Sequence, residues 1–190
     1  MTKTNEDSTE AEQAERKMRA WVEDAVVGLD LCPFASRPLE EETLRIAVVE
    51  VWDFERAVRH SLDELETLVE AEPDEISTSL VAFTEAFADF ETFLDAAAVV
   101  RELVEEAGLE GVVQVATFHP DYRFADTHPD DLGNYTNRAP YPALHFLREE
   151  EVTEAVDSHP DPEGIPERNI ERLRSMGRAE IESIWSDWSD

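Results

Sequence analysis

The spacing of apolar residues along the chain predicts helices that alternate with short strands. Between residues 18 and 29, apolar side chains recur at the i, i+3, i+4 and i+7 positions of a helix with one buried face. Residues 54–69 and 90–107 show the same spacing, and Asp53 and Asp89 stand where an N-cap belongs. Gly108 follows the last of these helices at the position that favours a left-handed backbone.

Runs of β-branched and apolar residues predict the strands. The runs at 44–51, 76–83 and 111–118 are each bounded by polar or turn-forming residues. A fourth, shorter run at Ala143–Leu147 follows a long polar segment. Helices are expected again over 149–158 and 163–175, with another turn or two around the tryptophans near the C-terminus.

Strands that alternate with helices of this length predict an α/β fold. The expected core is a small, mainly parallel sheet of three to four strands with helices packed on it, because βαβ crossovers join parallel strands. A ferredoxin-like α+β sandwich with an antiparallel edge is the alternative. The expected organisation is a disordered acidic N-terminus over residues 1–9, one domain over 10–177, and an acidic, tryptophan-containing tail over 178–190.

The charge balance adds an expectation about habitat. The 190 residues carry 46 acids against 16 bases, a net charge of −30, and only Lys3 and Lys17 of the bases are lysine. Acids spread over nearly every predicted helix favour adaptation to a salt-rich cytoplasm, where screening removes self-repulsion. The alternative is an acidic surface for a cationic partner or a nucleic-acid mimic.

Composition also limits location and partners. A basic patch that would bind nucleic acid is missing from the sequence, as is an apolar run of about 18 residues that would span a membrane. The first residues have no apolar core and do not predict a secretory signal. The single cysteine, Cys32, is consistent with a reducing compartment. A cytoplasmic location is therefore expected.

The segment 117–148 differs from the rest of the chain and is the expected functional site. It contains all three tyrosines, three of the five histidines and four of the ten prolines, with four acids against three arginines. About 24 of its residues separate two predicted strands, whereas connections usually take about 4–6 residues. Loops of this length are usually functional, and the carboxyl ends of parallel strands are where ligands bind in α/β sheets.

Residue types within this segment suggest a site for a small anionic metabolite. Arg138, with Arg123 or Arg148, has the fork geometry that clamps a carboxylate or phosphate. His119 or His145 is suited to moving a proton near neutral pH, with Asp121 orienting His119. The residues expected to orient polar groups of the ligand are Asn134, Tyr135, Asn137 and Tyr141. The alternative is that these side chains satisfy the backbone of a proline-braced loop.

A metal site and a thiol nucleophile are the alternatives to this site. The metal-ligand types in the segment are those of His119, Asp121, His128, Asp130 and Asp131, and their spacing matches no compact metal signature. No metal site is predicted, and no cofactor is identified. Cys32 is the only candidate thiol nucleophile, but free cysteine is more often a small buried hydrophobe.

Several phrases of the chain resemble a known bacterial family, the domain of unknown function 1415. These phrases are Gly28-Leu-Asp-Leu-Cys-Pro-Phe34, Val115-Ala-Thr-Phe-His-Pro-Asp-Tyr122, Asn134-Tyr-Thr-Asn-Arg138, Pro140-Tyr-Pro142 and Glu167-Arg-Asn-Ile170. The resemblance runs from about residue 15 to residue 177, and it implies a self-contained bacterial domain without implying an activity. Cys32 and Asn169 lie within the matching phrases, whereas His128 and His159 depart from the family pattern.

Two functional hypotheses follow from the sequence. The first is an enzyme acting on a small anionic metabolite, with His119 as acid or base, Asp121 orienting it, Arg138 as anion clamp and Cys32 as a lesser catalytic candidate. The second is a non-catalytic ligand-binding or interaction domain that uses the same loop. The sequence does not specify an oligomeric state.

The charge balance makes a prediction about stability. Raising the sodium chloride concentration from dilute buffer to about 1 M shortens the Debye length from about 30 Å to about 3 Å. Self-repulsion among the acids then falls, so the melting temperature should rise. Thermal unfolding followed by circular dichroism checks this, and maximum stability in dilute buffer would contradict a salt-adapted surface.

Overall fold

The computed structural model describes residues 8–186 and 188 as a sheet with helices on both faces. The strands are β1 (Leu44–Val49), β2 (Thr78–Phe83), β3 (Val113–Phe118) and β4 (Ala143–Arg148). The helices are α1 (Glu10–Trp21), α2 (Ser36–Glu40), α3 (Phe54–Glu70), α4 (Phe90–Glu106), α5 (Glu149–Ser158), α6 (Ile165–Met176) and α7 (Arg178–Ser186), with a 3-10 helix at Leu132–Asn137. Residues 1–7 of the predicted N-terminal segment and residues 187, 189 and 190 of the predicted tail lie outside the described residues.

Side-chain caps fix where the long helices begin. The Asp53 carboxylate accepts a hydrogen bond from the Arg56 amide at 3.0 Å, and the Asp89 carboxylate accepts one from the Thr92 amide at 2.9 Å. These bonds satisfy amides that the first helical turn leaves without a partner. Both predicted caps are confirmed, and Gly108 takes the expected positive φ of 73° beyond α4.

The first helix is longer than predicted and changes its geometry. It starts at Glu10 behind a capping box between Thr9 and Glu12, and it continues after Trp21 as a π-helix over Val22–Val27. The wider turns bring the Val26 carbonyl within 2.9 Å of the Leu31 amide, so the chain leaves the helix at that point. Apolar periodicity does not distinguish a π-turn from an α-turn over six residues.

The strands of the described residues form one four-stranded sheet in the order β1-β2-β4-β3. β1 and β2 are parallel, and β4 is antiparallel to both β2 and β3. Hence β1, β2 and β3 all run in the same direction, as two βαβ crossovers through α3 and α4 require. β4 fills the space between β2 and β3, with Phe118 opposite Ala143 at one end of its ladder with β3.

The α/β fold class is confirmed, but the prediction that the strands pair mainly in parallel is wrong. Two of the three ladders are antiparallel, because the last strand inserts inside the sheet instead of adding to an edge. The ferredoxin-like alternative placed its antiparallel strand at the edge, and that position is wrong as well. The two βαβ units determine that β1, β2 and β3 run in the same direction. They do not determine where β4 inserts in the sheet.

Each face of the sheet carries its own apolar core. Val81 and Phe83 of β2 point toward α3 and α4, whereas Leu80 and Ala82 point toward α1 and α6. Every residue of β2 is buried, as expected for a central strand covered on both sides. This explains why its apolar run shows no alternation.

Part of the predicted C-terminal tail packs on the second core. Ile181 and Trp185 of α7 and the neighbouring Trp188 are buried among residues of α1 and α6. The Trp185 indole donates a hydrogen bond to the Arg138 carbonyl at 3.2 Å. Within the described residues, no helix is both long enough and apolar enough to cross a membrane.

Candidate functional site

His119 follows β3 at the carboxyl edge of the sheet and is almost completely buried, with 1% of its surface exposed. Its Nδ1 accepts a hydrogen bond from the Asp121 amide at 3.0 Å, which leaves the ring proton on Nε2. Nε2 therefore donates to the Phe87 carbonyl at 2.9 Å. Burial lowers the pKa of His119, against the opposing effects of the Phe87 hydrogen bond and the Asp121 charge. Both ring nitrogens thus hold backbone groups in this structure.

Aromatic rings fill the edge of the sheet around this histidine. The rings of Phe90 and Phe93 lie 5.1 and 5.4 Å from the His119 ring, centroid to centroid. Phe87 packs 4.9 Å from Phe83 and has a positive φ of 66°, an unusual conformation for a bulky residue. The hydrogen bond from His119 to the Phe87 carbonyl holds that conformation in place. The edge where a ligand crevice was expected is therefore packed at His119.

Asn134 organises the long loop from a fully buried position. Its side-chain oxygen accepts hydrogen bonds from the Phe124 amide at 3.2 Å and the Thr127 hydroxyl at 2.7 Å. Its amide nitrogen donates to the carbonyls of His128 at 2.9 Å and Pro129 at 3.5 Å. One side chain thereby joins two turns of the loop and uses its full hydrogen-bonding capacity there.

The next predicted residues also hold backbone groups. The Asn137 amide donates to the Thr117 carbonyl at 3.2 Å. The Arg138 guanidinium donates to the carbonyls of Tyr122 at 3.3 Å and Pro129 at 3.0 Å, and it lies 4.4 Å from the centre of the Tyr135 ring. His119, Asn134, Asn137 and Arg138 therefore all bind backbone groups of the loop or of the segments that precede it, and none of them lines either cavity described in this structure.

The two predicted residues on β4 are anchored separately. The Arg148 guanidinium donates to the carbonyls of Leu68, Ala71 and Ile76, at 2.6, 2.6 and 3.1 Å, and so binds the C-terminal end of α3. The Thr78 hydroxyl donates to the Phe146 carbonyl at 2.8 Å, so the His145 Nε2, 2.6 Å away, is the donor to that hydroxyl.

Tyr141 and Cys32 are partly buried at separate points of the structure. Burial raises the pKa of Tyr141, with a smaller contribution from the Glu10 charge. Burial also raises the pKa of the Cys32 thiol, in spite of hydrogen bonding by the backbone of Phe34 and Ala35. A raised pKa disfavours the thiolate, which is the nucleophilic form. These surroundings are those of a packed thiol.

A separate groove lies between the segment after the π-helix and α6. Its cavity of about 190 Å³ is lined by Asp30, Pro33, His159, Ile165, Arg168, Asn169 and Arg172. The Asn169 amide donates to the Leu31 carbonyl at 2.5 Å and ties the two walls together. The Phe34 and His159 rings meet edge to face 6.0 Å apart at one end.

The polar composition of this groove differs from that of the long loop. Arg168 forms an ion pair with Asp161 and donates to its backbone carbonyl at 2.9 Å. In the part of the chain that the structure describes, the Arg172 guanidinium has no hydrogen-bond or ion-pair partner. Sequence reasoning missed both arginines. Their i, i+4 spacing on one face of a predicted helix was the available signal, but that spacing is common on solvated helices.

The metal-ligand types noted in the sequence do not form a cluster. The His128 ring lies 3.5 Å from the Asp130 carboxylate at the surface, whereas Asp131 pairs with Arg174 at 2.9 Å. Over residues 8–186 and 188, no group of three or more His, Cys, Asp or Glu side chains is arranged to hold a metal ion.

The hydrogen bonds of Asn134 predict a large stability effect. Asn134→Ala leaves the half-buried Phe124 amide without its partner and removes the bonds that join two turns of the loop, so it should lower the free energy of unfolding by about 1–3 kcal/mol. Gln13→Ala, on the exposed face of α1, is the control. Urea denaturation measures both variants, and a near-neutral Asn134→Ala would contradict a structural role for the amide.

His145 predicts a pH dependence of stability. Desolvation lowers its pKa to about 4 in the folded chain, whereas the unfolded value is about 6.5. The unfolded state then binds the proton first, so this contribution is fully present above pH 6.5 and is lost as the pH falls toward 4. The slope should reach about 1 kcal/mol per pH unit, and His145→Asn should remove it from urea-denaturation curves. Gln13→Ala, at an exposed position without a titratable group, should leave the slope unchanged.

Comparisons with known proteins identify the family but not an activity. A family model described as "Protein of unknown function (DUF1415)" matches residues 13–183. Neither a curated protein nor a solved structure matches the chain significantly. The match extends over most of the chain, including the strands, the long loop, both walls of the groove and most of α7. The chain therefore belongs to the DUF1415 family, whose function is unknown.

Proposed function

We propose that the protein binds a small carboxylate- or phosphate-bearing molecule in the groove between residues 30–33 and α6. Arg172 and Arg168 supply the charge and the planar fork that recognise such an anion. Asn169 positions the walls through its bond to Leu31. The proposed function is ligand binding without catalysis, which is the second of the two hypotheses from the sequence. The proposed site is next to the 117–148 segment and not within it.

The observation that carries this proposal is the unpartnered Arg172 guanidinium. The chain has 46 carboxylate side chains for 16 basic ones, so an internal acid partner is easy to provide. Arg174 of α6 and Arg178 of α7 do have acid partners, in Asp131 and Glu182. Within the described residues, Arg172 has no acid partner and lies in the wall of the groove.

The size and charge of the groove restrict the ligand. A cavity of about 190 Å³ is below the roughly 300–1,000 Å³ of sites for drug-sized molecules, so the ligand has only a few heavy atoms. Asp161 already provides a carboxylate to Arg168, which supports carboxylate recognition at this position. Asp161 also competes with an external anion for the same guanidinium.

The long loop contributes to this site by holding α6. The Asp131 carboxylate binds Arg174 of α6 at 2.9 Å. A Cβ at Gly133 would lie 3.3 Å from Ile170 of α6, so the glycine allows the 3-10 helix to approach closely. The segment that contains the predicted site thus supports α6, the helix that forms one wall of the groove. Proton transfer by His119 stays a prediction, and its two occupied ring nitrogens favour the binding role.

Two substitutions with opposite expected effects test the proposal. Arg172→Ala removes the free guanidinium and should weaken binding of inorganic phosphate or malonate about tenfold, equivalent to about 1.4 kcal/mol. Asp161→Asn removes the internal competitor and should strengthen binding several-fold. Isothermal titration calorimetry at constant ionic strength separates specific binding from general screening.

Arg101→Ala is the matched control, because it removes an exposed helical arginine of α4 outside the groove. Its affinity should equal that of the unsubstituted chain. Equal affinities for all four proteins, or no heat of binding with either anion, would contradict the proposal.

A further inference from the structure

Trp52 is an exposed tryptophan in a chain that buries its other three. It exposes 79% of its surface, whereas Trp21, Trp185 and Trp188 expose 2, 9 and 5%. It stands directly before the cap of α3, where β1 leaves the sheet. Exposed tryptophan is costly to leave in water, and tryptophan and arginine are the residues that most often anchor protein interfaces.

Charged residues of both signs continue the surface from Trp52 along α3. Glu55, Arg56 and Arg59 lie in the first two turns of α3, and together with Trp52 and Asp53, which precede the helix, they line a cavity of about 430 Å³. Asp53 is engaged in capping the helix. In the described part of the chain, neither Arg56 nor Arg59 has a side-chain partner. We call Trp52, Glu55, Arg56 and Arg59 the α3 patch.

We propose that the α3 patch pairs with the same patch of a second copy of this chain, forming a two-fold symmetric dimer. When two α3 helices run antiparallel with the axis between residues 55 and 56, the exposed Trp52 that precedes α3 in each copy lies at the end of the contact, next to Arg59 of the other. Glu55 of each copy then faces Arg56 of the other. The contact consists of two cation–π pairs and two ion pairs, repeated by the symmetry.

Charge complementarity selects a second copy over other partners. An acidic partner would satisfy Arg56 and Arg59 but would repel Glu55, and a basic partner would do the reverse. The α3 patch of a second, antiparallel copy provides a partner for all three charges. Glu55 meets Arg56, Arg56 meets Glu55, and Arg59 meets Trp52. Phe54, the first residue of α3, is 37% exposed and adds apolar surface at this end of the helix.

The dimer is in concentration-dependent equilibrium with the monomer. The patch is formed by a short stretch of one helix, so the area it buries falls toward the low end of specific interfaces, below about 1,200 Å². Two chains that each carry a net charge of −30 also repel one another. Salt reduces this long-range repulsion more than it weakens contacts at the centre of the interface.

Sedimentation velocity over about 1 µM to about 1 mM protein tests the dimer, at about 0.15 M and about 1 M salt. The unsubstituted chain should shift from monomer to dimer with concentration, and Trp52→Ala should stay monomeric. Glu55→Arg alone places two arginines opposite each other, and Arg56→Glu alone places two glutamates opposite each other. Each should weaken the dimer about tenfold or more at the lower salt.

The double substitution Glu55→Arg with Arg56→Glu is decisive, because it restores the ion pairs with their signs exchanged. It should recover the dimerisation of the unsubstituted chain, whereas a contact elsewhere on the molecule would not respond in this pattern. Circular dichroism confirms that each variant is folded. A monomer at every concentration and both salts would overturn the proposal, as would a dimer that survives Trp52→Ala.

Tryptophan fluorescence provides a second readout. Acrylamide quenches exposed indoles, and Trp52 is the tryptophan that it reaches readily. The quenching constant should fall as the dimer forms, and in Glu55→Arg the same fall should need about tenfold more protein. Quenching that does not change while the chain dimerises would place the contact away from Trp52 and overturn the proposal.

Discussion

The insertion of β4 between β2 and β3 is the constraint on which the rest of the structure depends. β2 and β3 are joined by a crossover through α4, but they are not neighbours in the sheet. Without β4, both would present unpaired backbone groups inside the protein. β4 pairs with both strands, buries Leu144 and Phe146 against α3 and α4, and buries Ala143 on the opposite face. One strand therefore completes the sheet and contributes to both cores.

The length of the loop between β3 and β4 is not required by this insertion. Phe118 and Ala143 face each other in an antiparallel ladder, so a turn of a few residues would be enough to connect β3 and β4. The chain instead uses residues 119–142 for this connection, in which Asn134 and Arg138 bind loop carbonyls and Asn137 binds the Thr117 carbonyl of β3. The polar side chains replace the regular secondary structure that the loop lacks, and the 3-10 helix at its end supports α6. The loop is thus a scaffold for the neighbouring helix.

Local chemistry made much of the fold predictable. Asp53 and Asp89 mark the starts of their helices because a carboxylate before an amphipathic run caps free amides, and β-branched runs placed the strands to within a few residues. The position of β4 depends on contacts between residues far apart in sequence, which periodicity does not contain. For the site, composition identified the unusual segment 117–148. It could not show whether an asparagine there binds the backbone or a ligand, because the residue type is the same in both cases. Asn134 could only be assigned once its four partners were known.

The arginines show how a strongly acidic chain uses its few cations. Arg148 binds three carbonyls at the end of α3, and Arg138 binds two in the loop, so guanidinium groups are committed to backbone acceptors although carboxylates are abundant. An ion pair at the surface contributes little, particularly in salt, whereas a partly buried guanidinium that satisfies several carbonyls fixes the position of a helix or loop. Against that background, Arg172 and the pair Arg56 and Arg59 are exceptions within the described residues, and each lies beside a cavity. Neither cavity is lined by His119 or by the aromatic rings around it, so the proposed binding and association sites are on surfaces that this packing does not fill.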